Sequence, residues 1–328
     1  MLLLCTSENW MDPAFLINKS TESTSCLIVL NPSALRSFLY LFIGSMVSIL
    51  TVSGNLLVTT SVIYFKQLHT PTNYLILSLA VADLLVGALI SLFNMTLNVQ
   101  LGSQSGDFFC KARRSLDISL MSSSILNMCC ISVDRYFAIC HPLTYKTKVT
   151  VTVVSLMILF SWTVSVLSGF GIIFGGLKNT VCDARCFLFR IPLSNVIGTA
   201  VSFYLPVIIM FIIYLRIFFV AQKQANSIQN LTCQSKKSGA IASKMERKAT
   251  KTLAIVMGVF LFCWTPFFLS ITVKQVTNAV PLILIETVVW LGRCNSMLNP
   301  FVYGCFYSWF RSVKLHKLHY GEIIHLCQ

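Results

Sequence analysis

Seven separate stretches of this chain are each long and apolar enough to cross a lipid bilayer, and this restricts its fold more than any other feature. They run roughly over 38–64, 73–96, 115–140, 149–174, 193–221, 250–276 and 280–305. A helix needs about 20 mostly apolar residues to span a hydrocarbon core about 30 Å thick. Lipid offers no water to backbone N–H and C=O groups, so each span must satisfy its own, as a helix does. The expected fold is therefore an all-α membrane protein, a seven-transmembrane helix bundle. Residues 1–37 read as an extracellular N-terminal tail and 38–305 as the bundle. Residues 306–328 mix aromatic and basic side chains, which suits a short amphipathic eighth helix on the inner membrane surface followed by a short cytoplasmic tail. The alternating pattern of a membrane β-barrel is absent. Composition agrees, because only 11% of residues are charged against roughly 25% in soluble domains.

An odd number of crossings places the chain ends on opposite sides. The net charge is +14, but the placement of positive residues orients a membrane protein more than their total does. With the N-terminus extracellular, the larger share of Lys and Arg falls on the cytoplasmic side, including Lys66, Lys146, Lys148 and the polar, basic segment 222–248, which reads as the longest inner loop. A basic inner face suits anionic membrane lipids and an acidic cytoplasmic partner. Loops this short do not suit nucleic acid, and the expected location is the plasma membrane. Met1 to Cys5 is apolar but too short, and lacks the basic start, for a secretory signal, so the first span is expected to act as the anchor signal. Six of the 13 cysteines fall inside spans, where a free Cys behaves as a small apolar residue. Cys26, Cys110, Cys182 and Cys186 fall on the outer side, where oxidation favours disulfides. Asn18, in Asn-Lys-Ser, reads as a glycan acceptor, whereas Asn230 has the motif but would face the cytoplasm.

Ionisable residues inside a span are costly and are default candidates for function. Asp117 and Arg135 lie on the third span about five turns, or about 27 Å, apart. They share one face near opposite membrane surfaces, with Met121, Ser124, Met128 and Ile131 near the same stripe, so this face is expected to point into the bundle. Asp83 lies about 15 Å deep in the second span, where Ser124, Asn295 and Asn299 can surround it. Such an oxygen-rich cluster would hold a small cation such as sodium, or else form a hydrated network that only satisfies buried groups. Asp134-Arg135-Tyr136 closes the third span, and Glu246, ahead of the sixth, offers Arg135 a carboxylate. A pair of that kind would hold two inner helix ends together and, when broken, open a cleft. Pro206, Pro266 and Pro300 lie deep in the fifth, sixth and seventh spans, each removing a backbone hydrogen bond. Three in successive spans, the last two preceded by Trp264 and Asn299 nearby, look like hinges.

Over nearly its whole length the chain resembles rhodopsin-family G-protein-coupled receptors. The residues that carry the likeness are Gly54-Asn55, Leu79-Ala80-Val81-Ala82-Asp83, Asp134-Arg135-Tyr136, Trp162, Pro206 with Tyr214, Phe260 with Cys263-Trp264-Thr265-Pro266, and Asn299-Pro300 with Tyr303. Ile125, Pro206 and Phe260 match the packed trio that, in this family, relays pocket changes inward. Within the family, Asn295-Ser296, Asn299-Pro300, Tyr303, Tyr307 and Trp309-Phe310 resemble the seventh-helix fingerprint of trace amine-associated receptors, as Tyr64 to Asn73 resembles their first inner loop. The resemblance implies a disulfide between Cys110 and Cys186 and a second between Cys26 and Cys182, the latter fastening the tail over the pocket. It implies a heterotrimeric G protein as partner, of the stimulatory class with cAMP as output, and an olfactory role as in many relatives. No cofactor is expected beyond an allosteric sodium ion at Asp83.

In amine receptors of this family the acid at the position of Asp117 binds the ligand's ammonium group. Physics supports this, since a carboxylate in a poorly hydrated pocket compensates a cation's desolvation and aromatic faces add cation–π attraction. The matching positions make Met121, Trp264, Phe267 and Phe268 walls, with Thr199 and Ser202 meeting the ligand's far end. This chain departs from its relatives at Arg293, where many amine receptors carry a tyrosine. Arg113 and Arg114 lie one turn above Asp117, and a polar segment 102–107 stands where relatives carry a tryptophan. Two alternatives follow: Arg293 points aside and Asp117 takes an amine, or the two residues together take a zwitterionic or acid-bearing ligand. A channel or transporter is the rival of a different class, but internal repeats and paired broken helices are absent. No span displays the metal cluster, or the nucleophile with a nearby base, of a membrane enzyme. A retinal protein needs a lysine in the seventh span, and none lies between Val280 and Cys305.

Overall fold

The computed structural model describes residues 32–97, 106–176, 203–231, 237–277 and 280–306, and every element among them is a helix. In chain order these are α1 (Pro32–Tyr64), a single 3₁₀ turn (Lys66–Leu68), α2 (Pro71–Leu97), α3 (Gly106–Cys140), α4 (Pro142–Lys148), α5 (Val151–Gly176), α6 (Leu205–Leu231), α7 (Lys237–Thr277) and α8 (Leu282–Phe306). All but α4 are long, so the seven expected spans correspond to α1, α2, α3, α5, α6, α7 and α8. Five of them hold stretches apolar and long enough to cross a membrane: Leu41–Tyr64, Pro71–Leu89, Ser115–Cys140, Val151–Gly171 and Ile255–Lys274. The described apolar part of α6, Leu205–Val220, is shorter, and the apolar run of α8, though not the helix, is interrupted by Arg293, Asn295 and Asn299. The segment 222–248, read as a loop, instead extends α6 to Leu231 and begins α7 at Lys237. Its Ala, Lys, Gln, Met and Glu are strong helix formers, so helix continues beyond the lipid. The expected eighth amphipathic helix and the tail regions lie outside the described residues.

The helices expose large apolar side chains outward and bury many polar residues among apolar ones inside, unlike a water-soluble bundle. On α5, Leu156, Leu159 and Phe160 are exposed while Ser161 and Ser165 are wholly buried. Lipid tails are as apolar as leucine, so burying leucine gains nothing there, and small residues that let backbones approach occupy the interfaces instead. Gly169 shows the consequence: a Cβ there would collide with the Ser119 hydroxyl and the Ser115 carbonyl on α3. The α3 helix packs against α2, α5 and α6, and the circuit continues through α6 with α7, α7 with α8, and α8 with α1 and α2. Phe260, Ile125, Met128, Met210, Leu75 and Leu79 form the buried apolar centre of this arrangement.

Two prolines shape the side of the bundle that faces the site. Pro300 lies within α8 and has no N–H to give the carbonyl of Ser296 one turn earlier. Asn55 on α1 supplies the replacement, donating its Nδ2 to that carbonyl at 3.0 Å and to the Thr51 carbonyl at 2.9 Å. Gly54 beside it admits the proline, because a Cβ there would come within 3.0 Å of the Pro300 ring. The Gly-Asn pair is thus the complement of the Pro300 kink. Pro266 lies similarly within α7, directly beyond Trp264.

Candidate ligand pocket and the polar column beneath it

A cavity of about 620 Å³, counting its open mouth, lies between α2, α3, α7 and α8. Asp117, Ile118, Met121 and Ser124 line it from α3, Trp264 and Phe267 from α7, and Val289, Arg293 and Ser296 from α8, with Val86 from α2. About two turns of α3 face therefore reach from the Asp117 carboxylate to the Ser124 hydroxyl, as the inward stripe predicts.

Charge enters from two side chains. Arg293 Nη2 lies 3.3 Å from Asp117 Oδ2, with the two side chains 15% and 30% exposed. The guanidinium also lies over the Trp290 ring, 5.1 Å from its centroid. Arg293 therefore turns toward Asp117 in this arrangement. Arg113 is partly buried one turn above on α3.

Below the charges, Trp264 meets Phe267 edge-on at 6.0 Å. Gly292 on α8 seats the indole, for a Cβ there would lie 2.8 Å from the ring. Phe268, expected to form a pocket wall, does not line the cavity and instead stacks on Phe203 of the turn preceding α6, with centroids 3.6 Å apart. Consecutive residues on a helix diverge by about 100°, so Phe267 facing the cavity sends Phe268 toward α6. Thr199 and Ser202 lie outside the described residues.

The floor of the cavity opens onto a wholly buried acid. Asp83 accepts from Ser296 Oγ at 2.7 Å, Asn299 Nδ2 at 2.7 Å and Ser124 Oγ at 3.4 Å. Ser296 was not expected beside Asp83, because its place in the Asn295-Ser296 pair of the resemblance does not say which way its hydroxyl faces. Asn295, which was expected, is buried with both side-chain polar atoms unpartnered. Ser124 and Ser296 belong to both the cavity lining and the acid's shell, so cavity and acid form one column.

Toward the C-terminal end of α3, Asp134 is buried and accepts from Thr72 Oγ1 at 2.9 Å, Tyr145 Oη at 2.7 Å and Arg135 Nη2 at 2.6 Å. Arg135 also donates to the Thr72 hydroxyl. Thr72 on α2 lies in the Tyr64 to Asn73 stretch that carries part of the resemblance and Tyr145 on α4 in none of the motifs, but neither likeness nor spacing points to a bond with Asp134. Ser132 bonds Tyr214 on α6 at 3.2 Å, Ile125 and Phe260 share the core, and Pro206 is buried at the start of α6. Tyr136 packs partly buried against that core. The side chains of Glu246, Tyr303 and Cys110 lie outside those described, as do Cys26, Cys182, Cys186 and Asn18, so neither the Arg135–Glu246 pair nor either disulfide falls among the described contacts.

A cavity at one end of the bundle with a carboxylate, a tryptophan beside a kinking proline and a polar column leading to an Asp-Arg pair at the other end fit a signal-relaying membrane receptor. Residues 54–303 match the family of seven-transmembrane receptors of the rhodopsin family. The chain is 40% identical to trace amine-associated receptor 1 of Macaca mulatta, over 97% of this chain and 92% of the relative. It is 39% identical to trace amine-associated receptor 4 of Mus musculus, over 93% and 92% respectively, and 41% identical to trace amine-associated receptor 1 of Homo sapiens, over 83% and 85%. The chain belongs to the rhodopsin-like G-protein-coupled receptors and, within them, to the trace amine-associated receptors. It is a multi-pass membrane receptor and not an enzyme, with a small-molecule ligand and a G protein as the partners of its class.

Proposed function

We propose that the protein senses a small molecule bearing an ammonium group outside the cell and activates a heterotrimeric G protein of the stimulatory class, raising cAMP. The observation that carries this reading is the Asp117 carboxylate in the wall of the outer cavity, beside aromatic faces. The names of its relatives, trace amine-associated receptors, support an amine. Ammonium binding at Asp117 draws α3, α7 and α8 into a new arrangement, and the bound state is favoured to the extent that the ligand prefers it. Trp264, seated on Gly292 and next to Pro266, is the part of α7 that feels the ligand. Movement there swings the inner half of α7 outward, away from α3. The Asp134, Arg135, Thr72 and Tyr145 cluster then loosens, Arg135 leaves Glu246, and the inner cleft admits the G protein. A sodium ion at Asp83, reached through Ser124, Ser296, Asn295 and Asn299, would favour the resting arrangement; the unpartnered amide of Asn295 supports that reading. With the N-terminus outside, the Cys110–Cys186 and Cys26–Cys182 bridges and a glycan on Asn18 would lie on the oxidising face.

The test is a panel of amines on cells expressing the receptor, read by cAMP. Asp117→Ala is expected to weaken the amine response by at least about 30-fold, since removing one partner of a buried charge pair costs about 2–5 kcal/mol. An undiminished amine response in a surface-expressed Asp117→Ala variant would sink the assignment.

A further inference from the structure

We propose that the pocket selects a compact zwitterion, in which an ammonium and a carboxylate one or two carbons apart are joined to an apolar body. Asp117 takes the ammonium and Arg293 the carboxylate. The inference rests on the reading of Asp117 as an ammonium acceptor and adds the second charge.

Both side chains line one cavity, and their single contact of 3.3 Å is long, against about 2.7–2.9 Å for a well-formed charge-assisted hydrogen bond. The only other interaction of the guanidinium among the described residues is the Trp290 face. A guanidinium carries five N–H donors in a planar fork that matches a carboxylate two bonds at a time, and stacking on a ring leaves that edge free. Arg293 is thus held at one face and underused at its rim. A simple amine that displaces Arg293 from Asp117 leaves a partly buried guanidinium without a counter-charge, and the desolvation cost of that group is no longer offset. A simple carboxylate leaves Asp117 in the same condition. A molecule carrying both charges replaces each half of the existing pair and keeps the cavity neutral. The 3.3 Å separation of the partner atoms requires the ligand's two charges to be close neighbours, as in an α- or β-amino acid. The remaining lining, Val86, Ile118, Met121, Trp264, Phe267 and Val289, is apolar or aromatic and fits a hydrocarbon or aryl body.

Matched compounds test this in cells expressing the full-length receptor, with surface expression measured for every variant and cAMP as readout. One series is 2-phenylethylamine, phenylalanine, β-phenylalanine, phenylalanine methyl ester and 3-phenylpropanoate; a second replaces phenyl by isopropyl. The amino acid of a series is expected to be about tenfold or more potent than its amine, its ester and its amine-free acid. Arg293→Tyr is expected to invert that order, and Arg293→Lys, which keeps the charge, to retain it. Equal potency of amine, ester and amino acid on the wild type overturns the proposal, as does silence of the wild type toward every amino acid in both series. An Asp117-dependent amine response indifferent to Arg293 overturns this proposal alone. Responses that survive Asp117→Asn overturn the ammonium assignment beneath it.

Discussion

At the scale of single residues, the structure turns on polar groups that have one partner and no substitute. The Ser296 carbonyl, deprived of its helical partner by Pro300, depends on Asn55. Asn55→Ala leaves that buried acceptor unsatisfied, and the loss is expected to be about 1–3 kcal/mol, read as a lower melting temperature of receptor in detergent or nanodiscs; an unchanged melting curve would contradict it. Gly292→Ala drives a methyl group into the Trp264 ring, and the expected result is raised basal cAMP at normal surface expression, because the indole leaves its resting seat. Unaltered basal signalling would show that Trp264 yields without consequence. Tyr145 lies outside the membrane spans, and burial raises its hydroxyl above the ordinary tyrosine range, with the Thr72 bond opposing and the Asp134 carboxylate reinforcing the shift. The folded chain holds this proton more tightly than the unfolded one, so its contribution is complete below the unfolded value of about 10 and is lost as pH rises through the folded value. Tyr145→Phe is expected to flatten the part of the stability loss that sets in as pH rises past about 10; a melting profile with the same alkaline slope as wild type would contradict it.

At the scale of helices, small residues decide how closely rods approach. Gly169 lies against the Ser115 and Ser119 turn of α3, so Gly169→Leu is expected to push α5 off α3 and strongly reduce surface expression, by an overpacking cost of about 1–3 kcal/mol or more. Normal expression would mean that α5 repacks freely. The helices themselves were legible from sequence because lipid forces each span to be long, apolar and self-satisfied, whereas 222–248 misled because its polarity looked like a loop while its residues favour helix. Asp83, Ser124 and Asn299 were legible because oxygen atoms in lipid must find each other. Ser296 was not, since its membership of the Asn295-Ser296 pair does not say that its hydroxyl turns to Asp83. Phe268 was misplaced because adjacency in sequence to Phe267 does not mean adjacency in space on a helix. That Asp117 and Arg293 share a cavity follows from their helix faces, but their contact depends on how α3 and α8 are rotated, which no local pattern encodes.

At the scale of the molecule, the Asp117 cavity, the Asp83 column and the Asp134–Arg135 cluster follow one another along α3, which packs against α2, α5 and α6. A ligand at one end and a G protein at the other can therefore bias the same arrangement of helices, which is what coupling between distant sites requires. The direct measurement is nucleotide exchange on a purified stimulatory G protein added to the full-length receptor in lipid nanodiscs, with and without the amines and amino acids described above. The account predicts ligand-dependent acceleration of exchange by wild type and its loss in Asp117→Ala. Ligand-driven passage of solute across receptor-containing vesicles, with no acceleration of exchange, would contradict it.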